Sequence, residues 1–334
     1  MKILNFIHGY PPDHNAGAEW MLHTMNKYLV SQGHEVKVMT RGGDHVTNKN
    51  GKNYFKKIQR VKTFEGIDIF YEGVTMYNEL FRWADVVITH LDQTGKAINL
   101  CRSFERKLVH LIHNSHYRHE VVDINKLNHY IIYNSQWLKD LLKYPLKNTV
   151  LRPPVIEKDY RMKPTGKAIT LINCYQPKGG DILVRLAEEL PHRKFIGVMG
   201  YGVQVVGDRK NLTYLENTEK IQDVYKQSKI IIMPSTYESF GRVAIEAAAA
   251  GIPVIVTNTP GLKEALGDAG LFITNRDNIE EWVGAIKSLD NEINYKSQVS
   301  KGKKRAKELT LQAEGELKEF EQFLLKIKEE KYHV

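Results

Sequence analysis

Short apolar runs rich in β-branched residues recur along this chain, each followed by a polar loop, and no other feature narrows its possible folds as much. Ile3-Leu4-Asn5-Phe6-Ile7 comes first, then a loop from Gly9 to Gly17 that carries two prolines. From Glu19 a helical period takes over, with Met21, Met25, Tyr28 and Leu29 on one face, and Gly33 supplies a left-handed stop before the next run, Val36-Lys37-Val38-Met39. Strand, helix, strand in that order needs a crossover, and crossover-linked strands lie parallel. Further runs stand at Asp85-Val86-Val87-Ile88-Thr89, Leu108-Val109-His110-Leu111-Ile112 and Tyr130-Ile131-Ile132-Tyr133. Parallel strands point one way, so the residues just past their ends, His8, His90, His113 and Asn134, are expected along one rim. Open α/β sheets bind ligands at that rim. A lone histidine at a strand end is commonly structural; three on one rim point to a site.

Leu151-Arg152-Pro153-Pro154-Val155 breaks the pattern, because proline is excluded from helix interiors and central strands. A second βαβ unit then opens, with a strand to Asn173, a loop over Cys174 to Gly180, a helix from Asp181 to Leu190 and a strand over Phe195 to Met199. At 334 residues the chain suits two lobes of ordinary size. The expected architecture is α/β: two Rossmann-like, doubly wound parallel-sheet domains facing each other across a cleft. Residues 1–151 form the acceptor-side domain, 152–166 a linker and 167–312 the nucleotide-binding domain. Residues 313–334 are expected to be an amphipathic helix packing back on the body, with Leu317, Phe320, Phe323, Leu324 and Ile327 at helical spacing within a tail that turns helical from Lys301.

The two cysteines, Cys101 and Cys174, stand far apart among apolar neighbours and read as buried thiols of a reducing compartment. The opening apolar run is too short for a secretory signal, and no stretch of about eighteen apolar residues occurs. The expected location is the cytoplasm, including peripheral contact with the cytoplasmic membrane face. The net charge of +9 fits anionic partners or ordinary solubility equally well.

The most informative stretch is Ile230 to Ile255. An apolar strand, Ile230-Ile231-Ile232-Met233-Pro234, runs into the loop Ser235 to Phe240. A thin alanine-rich helix follows and ends at Gly251 before Pro253. Glu238 precedes that helix and Glu246 lies within it, with the helix N-terminus between them. With Gly241 near the first turn, Glu246 sits roughly 8 Å along the axis. An open helix start is an anion site, because its first amides are unpaired and the dipole is positive there. Acceptor, anion cradle, acceptor is also the order of sugar hydroxyls, diphosphate and ribose in a nucleotide sugar. Glu238 matches the sugar, the amides of Phe240 and Gly241 beside Ser239 match the phosphates, and Glu246 matches the ribose.

Glu238-Ser239-Phe240-Gly241-Arg242-Val243-Ala244-Ile245-Glu246, with Ile252-Pro253-Val254-Ile255, Gly261-Leu262-Lys263-Glu264 and Asp268-Ala269-Gly270-Leu271 after it, resembles the paired-glutamate signature of the family 4 (group 1) glycosyltransferases, which have the GT-B fold. Ala16-Gly17-Ala18-Glu19 is similar to that family's small-residue loop beside the donor phosphate, and Lys178-Gly179-Gly180 to the step that opens its second domain. Tyr133-Asn134-Ser135 and Arg152-Pro153-Pro154-Val155 fit the end of its first lobe. The resemblance spans almost the whole chain and is densest after residue 170.

It implies a hexosyltransferase that retains anomeric configuration and uses no metal or other cofactor, the nucleotide sugar being a substrate. A UDP-sugar is favoured, with GDP-mannose second. The implied residues are His113 and Glu238 at the reacting sugar, and Gly17, Lys178, Ser239, Phe240, Gly241 and Glu246 on the donor. No Asp-x-Asp pair is present, in keeping with the metal-free reading. One departure stands out: where relatives carry a diphosphate-binding arginine, about five residues before the lysine, this chain has Asn173 or Cys174. The implied partners are the donor and a hydroxyl acceptor, such as a lipid-linked glycan, an anionic polymer or nucleic acid.

Simpler readings stand beside these. Glu246 can pair with Arg242 four positions earlier, Lys178 can be a solvated turn lysine, and the basic run Lys49 to Lys62 reads as a solvated hairpin before it reads as a polyanion clamp. Alternative functions are a transferase acting on modified-base DNA, or a dinucleotide-dependent oxidoreductase or epimerase. The latter lacks a Gly-x-Gly-x-x-Gly fingerprint, both at Gly9-Tyr10-Pro11-Pro12 and at Gly200-Tyr201-Gly202.

Overall fold

The computed structural model describes residues 1–41, 45–47, 53–55, 61–72, 77–115, 128–200 and 202–333. Two compact units are present, Met1–Arg152 with Glu314–Val334, and Pro153–Ala313.

The first unit runs β1 (Lys2–Ile7), α1 (Gly17–Ser31), β2 (Glu35–Thr40), β3 (His45–Thr47), β4 (Asn53–Phe55), β5 (Val61–Phe64), β6 (Ile67–Tyr71), α2 (Tyr77–Trp83), β7 (Val86–Thr89), α3 (Thr94–Ser103), β8 (Lys107–Ile112), β9 (His129–Tyr133), α4 (Gln136–Leu142) and β10 (Asn148–Val150). Eight of these strands form one sheet in the order β10-β9-β8-β7-β1-β2-β6-β5. Its pairings are parallel except for the β5–β6 hairpin at the edge. The strands β3 and β4 pair separately as an antiparallel ribbon. The rest of the basic run up to Lys62 lies almost wholly outside the described residues.

Side chains alternate along each strand, so the sheet feeds two cores. Ile3, Ile7, Val86, Ile88, Val109 and Leu111 pack on one face with Met21, Leu22, Met25 and Leu29 of α1. Leu4, Phe6, Val87 and Leu108 pack on the other with Leu80, Phe81, Ala97 and Cys101 from the α2 and α3 side.

The second unit runs β11 (Ala168–Ile172), α5 (Gly180–Glu189), β12 (Lys194–Val198), β13 (Leu212–Leu215), α6 (Ile221–Gln227), β14 (Ser228–Met233), α7 (Arg242–Ala250), β15 (Val254–Thr257), α8 (Pro260–Leu266), β16 (Leu271–Ile273), α9 (Ile279–Ser288) and the start of α10 (Glu292–Glu329). Its sheet has the order β13-β12-β11-β14-β15-β16, parallel throughout. Counted within the unit, that is the doubly wound 3-2-1-4-5-6 order. Ala247 to Ala250 are all buried, so α7 lies close on the sheet as its small residues lead one to expect.

Two boundaries differ from expectation. The stretch 152–166 is not a free linker: Val155 and Tyr160 are buried in the second unit's core, because apolar side chains so near a core gain more by burial than a linker gains by freedom. The terminal helix begins at Glu292, not at Lys301 or residue 313, and runs as one 38-residue element. Its last turns bury Leu317, Phe320, Leu324 and Ile327 in the first unit. Lys107 closes it by donating to the carbonyls of Ile327 at 2.6 Å and Lys328 at 2.8 Å, a cation at the negative end of the helix. No helix among the described residues is long and apolar enough to cross a membrane.

Candidate functional site

In the second unit β11 and β14 are neighbours in the sheet, yet the chain leaves them toward opposite edges. The loops after them therefore part at the carboxyl rim, the place where doubly wound sheets hold ligands. The first loop, Asn173 to Gly179, carries Lys178, and the second, Pro234 to Gly241, carries Glu238. Backbone joins them, Thr236 N donating to Pro177 O at 2.9 Å. Gly179 has φ 104°, and a side chain there would strike Pro234 at 2.6 Å, so the loops approach this closely only with glycine at that position.

Lys178 Nζ lies 2.6 Å from Glu238 Oε1, and Ser235 Oγ donates to the same oxygen at 2.8 Å. Glu238 Oε2 accepts no hydrogen bond among the described residues. The lysine head is 35% exposed and the glutamate 11%, which leaves the pair open to a ligand. The structure thus brings together two residues that the sequence assigned to different parts of the donor.

The helix α7 opens beside them at Gly241, in left-handed backbone with φ 95°, and no side chain caps the helix start. A Cβ at Gly241 would meet Leu262 at 2.5 Å. The Phe240 ring is buried in the core, which fixes its backbone. Neither the Phe240 nor the Gly241 amide has a backbone acceptor among the described residues, and Ser239 between Glu238 and Phe240 is half-buried. Free amides and an uncapped helix start make an electropositive cradle.

Glu246 is more enclosed than its expected ribose role requires. Oε1 receives Arg242 Nε at 2.6 Å and the Tyr160 hydroxyl at 3.1 Å, and Oε2 receives the Tyr225 hydroxyl at 2.8 Å. Arg242 Nη2 also donates to the Tyr160 oxygen at 3.2 Å. Burial, and then the nearby Glu246 charge, push both phenols further up from their ordinary range, so they remain donors. The helix ion pair given above as the simpler reading is therefore formed. Asn173 occupies left-handed backbone with φ 71°, and its Oδ1 accepts from Tyr175 N at 3.0 Å and Gln204 Nε2 at 3.2 Å. Its acceptor oxygen holds its own turn.

Sequence reasoning passed over Arg276, which follows β16 on the same rim. Its Nε donates to Pro234 O at 2.7 Å and its Nη2 to Gln176 O at 3.2 Å, while Asp181 accepts a two-pronged pair at 2.6 and 3.1 Å. The strand-end argument applied to the first sheet would have found it in the second.

In the first unit the rim forms as expected. The His90 and His113 rings lie 5.1 Å apart and those of His8 and His14 6.3 Å apart, and Asn134 Nδ2 stands 3.4 Å from His113 Nδ1. Burial, then the neighbouring His113, hold His90 neutral, well below the ordinary imidazole range. Gly17 opens α1 with open space on its Cβ side and no side-chain cap at that helix start.

Glu19, in the first turn of α1, is 4% exposed, with Oε1 3.7 Å from His14 Nε2. Burial pushes its carboxyl up from 4.5 to about 7. Between those values the folded chain keeps a proton that the unfolded chain has released, so stability falls as pH rises through that window. Glu19→Gln is expected to be more stable than the parent at pH 8, by up to about 3 kcal/mol, and to lose that advantage at pH 4. Urea melts of both proteins at the two pH values check this; equal gains at both would contradict it.

Comparison with known proteins adds a family match over part of the second unit and a fold. Residues 204–306 match the family model described as Glycosyl transferases group 1. A D-inositol 3-phosphate glycosyltransferase of Rhodococcus erythropolis is 35% identical over 145 residues, covering 36% of this chain and 33% of that protein. One from Mycolicibacterium smegmatis is 32% identical over 145 residues, covering 38% and 33%. The chain thus spans about a third of the length of the curated relatives it matches. Among solved structures, a sucrose-phosphate synthase from Thermosynechococcus elongatus superposes with a TM-score of 0.75 at 16% identity, covering 98% of this chain and 99% of that one. Anabaena HepE in complex with UDP and glucose gives 0.72 at 16% identity, covering 95% and 99%. The fold is that of the GT-B glycosyltransferases, and within the second unit residues 204–306 are similar to the group 1 model.

Proposed function

We propose that this protein is a family 4 glycosyltransferase that moves a sugar from a nucleotide sugar, a UDP-sugar in the first place, to a hydroxyl acceptor. It does so with retention of configuration and without a metal. The observation that supports this most is the Lys178–Glu238 pair standing beside the acceptor-free amides of Phe240 and Gly241, at the switch point of a doubly wound sheet. A diphosphate offers those amides the acceptor they lack and draws the Lys178 ammonium toward itself. Glu238 Oε2 then takes a sugar hydroxyl. Glu246, oriented by Arg242, Tyr160 and Tyr225, keeps one acceptor position on Oε2 for a ribose hydroxyl. The roles that the resemblance gives His113 and Gly17, orienting the sugar and meeting the phosphate, belong to the same proposal.

The chemistry asks for charge stabilisation more than for proton abstraction. As the sugar–phosphate bond lengthens, negative charge grows on the leaving diphosphate. Preset amides and a lysine stabilise that state more than the ground state, and this difference is what accelerates the step. The leaving phosphate oxygen then accepts the acceptor's proton on the same face. The acceptor we infer is a phosphate-bearing polyol or another anionic hydroxyl compound, consistent with the inositol phosphate in the relatives' names and with the chain's charge of +9.

A thermal-shift panel of UDP-, GDP- and ADP-sugars tests the donor. A ligand at a hundred times its Kd adds about 2.7 kcal/mol to stability, and UDP-glucose is expected to give the largest rise in Tm. A flat response to all three would remove the reading.

A further inference from the structure

We infer that Arg276 is a positioning residue that sets the distance between the Lys178 loop and the Glu238 loop, and through it the affinity for the donor diphosphate; the second clause rests on the reading proposed above.

The two loops come from β11 and β14 and meet directly through the Thr236–Pro177 backbone bond. Arg276 spans the same gap from a third element. Its guanidinium donates to Pro234 O at the root of the Glu238 loop and to Gln176 O two residues before Lys178. Asp181, in the first turn of α5, takes the two-pronged pair, so the helix that follows the Lys178 loop is held as well. The arginine is itself anchored, because the buried Trp282 donates its indole N–H to Arg276 O at 2.8 Å. A planar, rigid fork fixes its partners in distance and in direction. Lys178 and Glu238 ride on the segments it holds, and their separation of 2.6 Å follows from where those segments stand.

A second role for this side chain, supplying the diphosphate-binding cation missing at Asn173, is disfavoured by its partners. Asp181 meets it at 2.6 Å and Asp277 at 2.8 Å, so the group carries no surplus positive charge, and its side chain is 17% exposed. It holds the donor site without touching the donor.

The two roles separate by experiment. Arg276→Lys keeps the charge facing Asp181, but a single ammonium does not bridge both carbonyls and the carboxylate. Arg276→Met removes both charge and bridge. Two measurements are made on the full chain: amide exchange at Thr236 and over 174–180, and binding of UDP by calorimetry. We expect exchange at those amides to rise at least tenfold in Arg276→Met while exchange in β11 and β14 stays as in the parent. We also expect UDP to bind at least tenfold more weakly in both variants, with no full rescue by lysine. Parent-like exchange in Arg276→Met, or parent-like UDP affinity in Arg276→Lys, would overturn the inference. A parent protein that binds none of UDP, GDP and ADP would instead sink the donor reading, and the exchange measurement would still decide whether the clamp exists.

Discussion

Replacing Lys178 with methionine is expected to lower kcat/KM for UDP-glucose by about 10²- to 10³-fold, the loss typical of removing one preset group from a developing negative charge. The unbranched replacement keeps an apolar stem of similar length and removes the ammonium 2.6 Å from Glu238. Glu238→Gln should also cost at least tenfold, or about 1.4 kcal/mol, since the amide keeps one acceptor oxygen but cannot pair with the lysine. Because the two groups touch, their losses should not add. The double variant is expected near the worse single one, as in other residues that act as a unit. Release of UDP from UDP-glucose, followed across a range of donor concentrations, checks this, and Lys178→Met should act chiefly through kcat. Two single variants within threefold of the parent would leave the pair without a catalytic role.

The parts that were legible in the sequence are those governed by short-range physics. A run such as Ile230 to Met233 must be a strand, and a parallel sheet then fixes the rim on which its following loop stands. The seat of Glu238 and the open start of α7 followed from that reasoning. The histidines at 8, 90 and 113 were placed on one rim by the same argument. What escaped depended on contacts between distant residues. Tyr160 meets Glu246 across 86 positions and Arg276 meets Asp181 across 95, and no local spacing announces either. The edge strand Asn148–Val150 was missed for a different reason: half-exposed, it carries little apolar signal. The segment 152–166 misled because its prolines dominate the pattern, while the burial of Val155 and Tyr160 is visible only once the core beside them exists.

The polar cluster around Glu246 yields the largest expected effect on stability, and it also separates a structural role from a binding role. The side chains of Arg242 and Glu246 are 13% and 8% exposed, and the two phenols each donate to the same carboxylate. Arg242→Met would leave the buried Glu246 side chain with the phenol donors alone. Breaking a buried pair in this way costs about 3–5 kcal/mol, and in a unit of this size each kcal/mol moves Tm by about 2–4 °C. A fall in Tm on the order of 10 °C is therefore expected for Arg242→Met and likewise for Glu246→Ala. Replacing both at once, Arg242→Met with Glu246→Leu, removes the stranded charge and fills part of the space, so much of the lost stability should return. Donor binding should not return with it. If Glu246 holds the ribose, the double variant stays folded at room temperature yet binds UDP at least tenfold more weakly than the parent. If it binds UDP as the parent does, the carboxylate serves only the core of the second unit, and the ribose must be held elsewhere.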